Sequence, residues 1–311
     1  MIRNCILFFL ILFFNSSFSQ STLYSKAYGK PTDPAIIFLH GGPGYNSVSF
    51  EYSTAKVLAE KGYYVIVFDQ RGCGRTKTDS TSKYTFQEAF DDINGLYKKY
   101  NLKTATLIGH SFGGTLGILF ANKYPEKVKN LVLTGSPLSY QKTFKSILAK
   151  CRMILMQKDS SRVRFITIAE KMDTNTLMYS GTCFMHAMSN GFYTAKAPAP
   201  SSKIIMDSLK KCPDAKQMGN MTQDPVKGFF DKEHYTTLNL SKPLTEVITK
   251  TKVFGIYGQD DGLFDNDHLK MLIKIIGDDN FVTVSGASHN IFIDQQEVFL
   301  VMLTEFLSRK N

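Results

Sequence analysis

Short, continuously apolar runs recur along the first half of the chain, with amphipathic stretches between them. The apolar runs occupy residues 35–40, 63–69, 105–110 and 130–135, and the amphipathic stretches lie at about 50–61, 85–100 and 113–124. Unbroken apolarity over about 4–8 residues is typical of strands buried on both faces, as in a parallel sheet. Strands that alternate with helices predict a doubly wound, mostly parallel α/β sheet.

The pattern changes after Ser136. Residues 137–243 are rich in methionine and lysine, contain loops such as "KAPAPSS" at 196–202, and show no clear strand. The alternation then returns, with apolar runs at 252–258 and 280–286, an amphipathic stretch at 267–276 and a closing helix at about 295–308. We therefore predict a sheet core over residues 20–136 and 244–311, interrupted by a helical cap over residues 137–243.

The N-terminal segment is set apart from this pattern. Residues 1–19 combine one positive charge at Arg3, an apolar run from Cys5 to Phe14, and small residues at Ser17 and Ser19. This is typical of a signal peptide with cleavage after Ser19. A membrane anchor is the alternative, but the run is shorter than the roughly 20 residues that span a bilayer. We expect an exported protein, in the periplasm or medium, without stable membrane association after cleavage.

Four cysteines remain in the mature chain: Cys73, Cys151, Cys183 and Cys212. Export permits disulfides, and the sequence is compatible both with one bridge among the last three and with four free thiols. Their connectivity is not determined by the sequence. No C-x-x-C or histidine-rich spacing indicates a metal site, and no cofactor is expected.

The formal net charge is +10, and the cap carries much of it. Between Pro137 and Lys216 there are thirteen Lys or Arg against five Asp or Glu, a net charge of +8. A basic face is typical of proteins that bind nucleic acid or anionic membranes. Here the charges are scattered and the protein is expected to be exported, so we predict no nucleic-acid partner.

The peptide "GHSFG" at 109–113 joins a predicted strand to a predicted helix. G-x-S-x-G in this context is typical of a nucleophile elbow, a sharp turn that exposes a serine hydroxyl above a sheet. Glycines are needed because side chains two residues to either side would collide at such a turn. The sequence therefore predicts Ser111 as a nucleophile, and a glycine-rich turn that merely packs is the alternative.

A serine hydroxyl is a weak nucleophile until a base removes its proton, and the base is oriented by a carboxylate. Of the six histidines, His289 follows the last predicted strand, where a loop can reach across the carboxyl edge of the sheet. The carboxylate is expected after the preceding strand, where Asp260, Asp261 and Asp265 are all candidates. The order Ser, Asp, His along the chain is typical of α/β-hydrolases.

The glycine-rich peptide "HGGPG" at 40–44 follows the first predicted strand of the sheet core. It has little side chain, so it can offer backbone amides to a ligand that approaches closely. The tetrahedral intermediate of acyl transfer carries a negative oxygen that needs two such N–H donors. We predict that Gly42 supplies one donor and that Phe112, the residue after the candidate nucleophile, supplies the other.

Five motifs, in their order along the chain, resemble those of the proline iminopeptidase family of α/β-hydrolase serine peptidases. They are HGGPG at 40–44, DQRGCGRT at 69–76, GHSFGG at 109–114, GQDD at 258–261 and SH at 288–289. The first two form a specific pair, whereas G-x-S-x-G alone is generic. The resemblance covers about residues 24–308 apart from the insertion, and it implies an α/β-hydrolase fold with a helical cap over the active site.

Residue by residue, the resemblance implies Ser111 as nucleophile, His289 as base and Asp261 as the acid. The side chains of Asp69, Gln70 and Arg71 are expected to brace the loop beside the oxyanion site, with Arg71 paired to a carboxylate. This chain departs from the family in having Phe112 where many members have tryptophan.

Members of that family use cap glutamates to hold the free α-amino group of the substrate. The cap of this chain offers Glu170, Glu233 and, at its margin, Glu246, and Glu233 in "FDKEHY" is the best candidate for substrate binding. A net charge of +8 between residues 137 and 216 suits anionic or neutral substrates better than a cationic peptide terminus.

We therefore expect an exported serine hydrolase, similar to proline iminopeptidases, that releases N-terminal residues, preferably proline, from short peptides through an acyl-enzyme. A carboxylesterase, lactonase or amidase that acts on small acyl substrates with the same residues is the alternative. An inactive α/β-hydrolase that serves as a binding module is a third hypothesis. The physiological substrate and the oligomeric state are not determined by the sequence.

Overall fold

The computed structural model describes residues 23–77 and 80–309. The predicted signal peptide, residues 1–19, lies outside the described residues. The strands are β1 (Ser25–Tyr28), β2 (Ala35–Leu39), β3 (Tyr64–Phe68), β4 (Ala105–His110), β5 (Val128–Thr134), β6 (Lys252–Gly258) and β7 (Phe281–Val284). They form one sheet in the order β1-β3-β2-β4-β5-β6-β7. Every neighbouring pair is parallel except β1 and β3, which are antiparallel.

Helices cover both faces of this sheet. They are α1 (Val48–Phe50), α2 (Lys56–Glu60), α3 (Phe86–Lys99), α4 (Phe112–Lys123), α5 (Tyr140–Lys158), α6 (Val163–Glu170), α7 (Leu177–Ser189), α8 (Pro200–Leu209), α9 (Gln223–Glu233), α10 (Ser241–Val247), α11 (Asn266–Ile276), α12 (Ile291–Asp294) and α13 (Gln296–Ser308). A π-helical turn, Glu51–Ala55, joins α1 to α2. Five short 3₁₀ turns in the described residues complete the connections, at 125–127, 160–162, 215–217, 235–237 and 278–280.

Strand β2 shows why its apolar run is unbroken. Ile37 and Leu39 belong to one hydrophobic cluster, together with residues of α3, α4 and the cap. Ile36 and Phe38 belong to a second cluster, which includes residues of α13. Successive side chains of a strand point to opposite faces, so a strand covered on both faces is apolar at every position. The predicted doubly wound α/β sheet is confirmed, with a helical region inserted between β5 and β6.

The structure differs from the sequence prediction in two elements. Strand β1 was not predicted, because its four residues, SKAY, are at most half-buried at the edge of the sheet and carry no unbroken apolar run. The predicted "KAPAPSS" loop ends at Ala199, since Pro200 begins α8. Proline is favourable in the first turn of a helix, where its missing N–H costs no hydrogen bond.

The cap cysteines are not bridged in the structure. Cys73, Cys151, Cys183 and Cys212 are all free thiols, and the first three are buried. Of the two possibilities that the sequence left open, the structure has the four free thiols. Burial raises the pKa of the Cys183 thiol to about 12, so it is protonated at neutral pH.

Candidate active site

Ser111 lies on a strained turn between β4 and α4. Its backbone φ of 53° and ψ of −123° are unusual for a residue with a side chain. Gly113 has no room for a side chain, because an added Cβ would lie 1.9 Å from the carbonyl oxygen of Leu39. At Gly109 an added Cβ would lie 2.5 Å from the Cα of Gly114. The glycines of the G-x-S-x-G motif are therefore required by close backbone contacts around the half-buried serine.

The imidazole of His289 and the carboxylate of Asp261 form a buried pair. The Nδ1 of His289 is 2.7 Å from the Oδ2 of Asp261, and each residue is 5% exposed. The other carboxylate oxygen of Asp261 accepts a hydrogen bond from the Leu263 amide at 3.1 Å. Because a carboxylate only accepts hydrogen bonds, Nδ1 of His289 carries the proton. Nε2 is then unprotonated, and this is the tautomer that a general base needs.

The two neighbouring aspartates are used elsewhere. Asp260 accepts a hydrogen bond from the Lys196 amide at 2.8 Å, so its side chain is directed toward the cap. Asp265 accepts a hydrogen bond from the His268 amide at 2.8 Å and caps the N-terminus of α11. Of the three candidates, the structure brings Asp261 to His289. His268 on α11 is half-buried, with its ring stacked 4.4 Å from that of Phe264.

The elbow and the His289 loop are joined through His110. The Nε2 of His110 is 2.9 Å from the carbonyl oxygen of His289, and the two rings lie 4.7 Å apart. Burial, together with the charge of His289, lowers the pKa of His110 to about 3. A neutral His110 can donate its Nε2–H to that carbonyl at neutral pH. Because His110 precedes Ser111, this contact holds the base loop against the elbow.

The HGGPG loop lies against the same elbow. An added Cβ on Gly41 would be 2.9 Å from the Cβ of Ser111. Gly42 has φ of +129°, and its bond to Pro43 is cis. Neither the Gly42 amide nor the Phe112 amide donates a hydrogen bond within residues 23–77 and 80–309. An oxyanion site needs two N–H groups that are free to donate, and these two amides meet that requirement.

The DQRG motif holds this loop in place. His40 donates from Nδ1 to the Gly41 carbonyl at 2.8 Å, and its Nε2 accepts from the Gln70 amide at 2.9 Å. The side-chain amide of Gln70 donates to the His40 carbonyl at 2.8 Å. Burial lowers the pKa of His40, so the ring is neutral, as this donor–acceptor pair needs. Arg71 pairs with Asp92 through two bonds of 2.8 and 2.9 Å.

The fold of this chain resembles that of known proteins. A family model described as the alpha/beta hydrolase fold matches residues 34–165. A proline iminopeptidase-related protein from Thermus thermophilus has a TM-score of 0.67, with 19% identity over 92% of this chain and 93% of that chain. An enol-lactonase from Burkholderia xenovorans has a TM-score of 0.62, with 16% identity over 92% of this chain and 96% of that chain. This chain has the α/β-hydrolase fold.

Two sequence relatives are named proline iminopeptidases. One, from Pestalotiopsis fici, is 23% identical over 90% of this chain and 94% of its own length. A putative proline iminopeptidase from Mycoplasma genitalium is 31% identical, but the match covers only 40% of either chain. The relationship is distant.

The structure gives Glu233 a role that the sequence did not suggest. Its Oε1 accepts a hydrogen bond from the Phe86 amide at 2.7 Å, at the first residue of α3. The other two cap glutamates are also engaged, Glu170 with Arg152 and Glu246 with the side-chain amide of Asn122 at 3.0 Å. An acidic side chain at a helix N-terminus satisfies a free amide and the helix dipole.

A cluster of buried charges missed by the sequence analysis joins the core to the cap. Arg75 donates to Asp69 at 2.7 Å, to Glu51 at 2.7 Å and to Asp214 of the cap at 2.8 Å. Burial by itself raises the pKa of Asp69, but the bonds with Arg75 outweigh it and the net pKa is lowered. The signal in the sequence was the second arginine of DQRGCGRT, Arg75, four residues after Arg71.

Two cap residues at the rim of the site carried no sequence signal. The ring of Tyr193 packs edge-on against that of His289 at 5.2 Å, and its carbonyl accepts from the Ser288 hydroxyl at 2.9 Å. Thr222 donates from its amide to the Gly44 carbonyl at 2.9 Å and from its hydroxyl to the Gly72 carbonyl at 2.5 Å. Both glycine-rich loops are thereby tied to the cap.

No metal-binding cluster of three or more His, Cys, Asp or Glu is found within the described part of the chain. In the same residues, no helix is both long and apolar enough to cross a bilayer. The site consists of a hydroxyl, an imidazole, a carboxylate and backbone amides. The chemistry available to these groups is acid–base and nucleophilic.

Proposed function

We propose that this α/β-hydrolase is a serine hydrolase that works through an acyl-enzyme. The observation that carries the proposal is the buried His289–Asp261 pair, 2.7 Å apart, in a loop held against the Ser111 elbow. His289 takes the proton of the Ser111 hydroxyl as the oxygen attacks a carbonyl carbon. Asp261 keeps the imidazole in the required tautomer and stabilises the imidazolium that forms.

The proposed oxyanion donors act at the tetrahedral intermediate. The Gly42 and Phe112 amides bind the negative oxygen, and the intermediate collapses when His289 returns the proton to the leaving group. A water molecule, deprotonated by His289, then attacks the acyl carbon and releases Ser111. As Ser111 leaves, His289 returns the proton to its oxygen, so each step needs only groups of the chain and one water molecule.

For the substrate, we propose the release of an N-terminal residue, preferably proline, from a short peptide. The support is the pair of motifs HGGPG and DQRG-x-G and the names of the distant relatives. The cap lies over this edge of the sheet, with Tyr193 against His289, and this favours small substrates.

Hydrolysis of small esters or lactones is a second candidate, and one observation favours it. An aminopeptidase needs a carboxylate for the α-amino group of its substrate, but Glu170, Glu233 and Glu246 each bind a group of the protein itself. A positive surplus in the cap also favours neutral or anionic substrates.

One panel of substrates tests the proposal and separates the candidates. The purified mature chain is assayed with proline and other amino-acyl arylamides and with short acyl esters, beside Ser111→Ala. Turnover of any of these that Ser111→Ala abolishes supports the serine hydrolase. Failure of a fluorophosphonate to label Ser111, together with no turnover, would refute it. Arylamide turnover that Glu233→Gln reduces supports the peptidase, whereas ester turnover alone, unchanged in Glu233→Gln, supports the second candidate.

We also propose that the protein is exported, on the strength of the signal-peptide pattern in residues 1–19. Expression of the full chain in a bacterial host, followed by N-terminal sequencing of the protein from the periplasm and medium, tests this. A mature chain that begins at Gln20 supports export, and an uncleaved chain retained in the cytoplasm contradicts it.

A further inference from the structure

The outer surface of the cap exposes an unusual number of large apolar side chains. Of the fourteen exposed large hydrophobic residues in the described part of the chain, seven lie on the three consecutive helices α5, α6 and α7. They are Met153, Met156, Phe165, Ile168, Met178, Met185 and Met188, which are 45–74% exposed. Scattered apolar residues are normal at a protein surface, whereas a concentration of them marks an interaction site.

On α7 the exposed residues form one stripe. Met178, Gly181, Met185 and Met188 are exposed, at spacings of three and four residues. The opposite side of the helix, which includes Tyr179 and Cys183, is buried. Residues three, four and seven apart lie on the same face of a helix. α7 therefore has two apolar faces, one packed into the cap and one open.

The same helices carry a positive surplus. Residues 140–190 contain eight Lys or Arg against three Asp or Glu, a net charge of +5. One of the three acidic residues, Glu170, is already paired with Arg152. Lys145, Lys158 and Arg164 are among the exposed basic residues. Half of the formal charge of +10 thus lies within residues 140–190, and several of these basic side chains are exposed on the helices that carry the exposed apolar residues.

The three helices pack against one another as a unit. The ring of Phe144 on α5 lies 5.8 Å from that of Tyr179 on α7, and Arg152 on α5 donates to Thr167 on α6 at 3.0 Å. Tyr193, Asp214 and Thr222, which lie outside these helices, tie the cap to the site loops. The contact from α5 is made by the half-buried Lys150, which donates to the Gly262 carbonyl at 3.1 Å and to the Phe264 carbonyl. The exposed faces of α5–α7 are therefore not needed to hold the cap in place.

We infer that the exposed surface of α5–α7 docks reversibly on the surface of an anionic lipid bilayer. Methionine, phenylalanine and isoleucine side chains enter the boundary between headgroups and acyl chains, and the surrounding lysines and arginines bind anionic headgroups. This peripheral docking differs from the expectation of no stable membrane association that the sequence suggested. It involves no spanning segment.

The charge decides between a bilayer and a second copy of the chain as the occupant. Two copies that paired through this surface would bring two segments of net charge +5 together, and like charges oppose that contact. An anionic membrane gains from the same charges. The inference does not depend on catalysis, so it stands or falls separately from the proposed function.

Vesicle co-sedimentation tests the inference. The mature chain is mixed with vesicles of phosphatidylcholine, alone or with phosphatidylglycerol, at low and high salt. We expect binding to the anionic vesicles to be roughly tenfold tighter than to the neutral ones, and weaker at high salt. Equal binding to both, or no binding to either, would overturn the inference.

Two triple variants sharpen the test. Met178→Ser/Met185→Ser/Met188→Ser should weaken binding to the anionic vesicles by roughly tenfold, because it removes the apolar stripe of α7. Met271→Ser/Val298→Ser/Val301→Ser, which changes three exposed apolar residues of the sheet core, should leave binding unchanged. Circular dichroism checks that both variants are folded. Equal loss in the two variants, or self-association of the parent chain that only the α7 variant abolishes without any lipid binding, would contradict the inference.

Discussion

Helix α4 of the sheet core and helix α7 of the cap differ in how closely their glycines are packed. In α4 of the core, an added Cβ on Gly113 would overlap the Leu39 carbonyl, whereas in α7 of the cap an added Cβ on Gly181 meets no atom within 4 Å. Both glycines lie within helices, but only at Gly113 do the neighbouring atoms leave no room for a side chain. The core uses glycine to bring backbone segments together at the site, and the cap leaves its outer face open.

The cap is itself divided in the same way. Its segments around Tyr193, Asp214 and Thr222 are bonded to the site loops. Its helices α5–α7 carry exposed methionines and a surplus of basic residues. Hydrogen bonds thus connect the later cap segments to the candidate site, and the open surface lies on the preceding helices α5–α7, where we propose membrane docking. The following substitutions test whether this division is real.

The largest effect is expected at the acid of the core. Asp261→Asn should lower kcat by about 10⁴-fold, because an asparagine no longer holds His289 in the required tautomer. Asp260→Asn is the matched control and should have little effect, since Asp260 binds the Lys196 amide of the cap. Steady-state kinetics on whichever substrate of the panel is turned over measures both. A larger loss in Asp260→Asn would show that the site is organised differently.

The buried charges between core and cap come next. Arg75→Met should lower the free energy of unfolding by about 3–5 kcal/mol, because it leaves Asp69 and Glu51 buried without their cation. Asp214→Asn should cost less than about 1 kcal/mol, since the Asp214 side chain is 26% exposed and Arg75 keeps its other partners. Urea denaturation gives both values, and equal losses would mean that the tie to the cap matters as much as the core pairs.

The two helical glycines provide a direct comparison. Gly113→Ala should destabilise the protein by about 3 kcal/mol or more, because the new methyl group overlaps backbone. Gly181→Ala should stabilise it by about 0.5–1 kcal/mol, because alanine loses less conformational freedom in a helix. Thermal unfolding measured side by side checks the signs. Destabilisation by Gly181→Ala would show that the outer face of α7 is packed after all.

A pH series tests the buried histidine between elbow and base. Burial lowers the pKa of His110 from 6.5 to about 3 in the folded protein. At a pH below about 6.5, His110 binds a proton in the unfolded chain but not in the folded protein. The contribution of His110 to the free energy of unfolding is therefore complete above about pH 6.5 and is lost as the pH falls. One such histidine lowers the free energy of unfolding by about 2 kcal/mol between about pH 6.5 and 5. The free energy of unfolding of His110→Asn should fall less steeply over this interval, whereas His234→Asn, on the exposed cap surface, should follow the parent.

Much of the core was predictable because its signals are local. Mostly apolar runs marked the strands β2 to β7, and the glycine motifs marked the turns where backbone segments meet. Strand β1 was not predicted, because this edge strand is at most half-buried and has neither an apolar run nor a glycine motif. In the cap, helical character was predictable, but the partner of each polar side chain was not.

The sequence by itself determined the doubly wound sheet, the elbow at Ser111 and the set of candidate acids and bases, because periodic apolarity and glycine turns depend on neighbours along the chain. The spacing alone left Asp260, Asp261 and Asp265 open, the family resemblance implied Asp261, and the tertiary structure pairs Asp261 with His289. Only the tertiary structure decided that Glu233 binds the first amide of α3. It also showed that the methionines of α7 remain exposed. These outcomes depend on contacts between residues far apart in sequence. A shift of one position along the chain is enough to direct a side chain to a different partner.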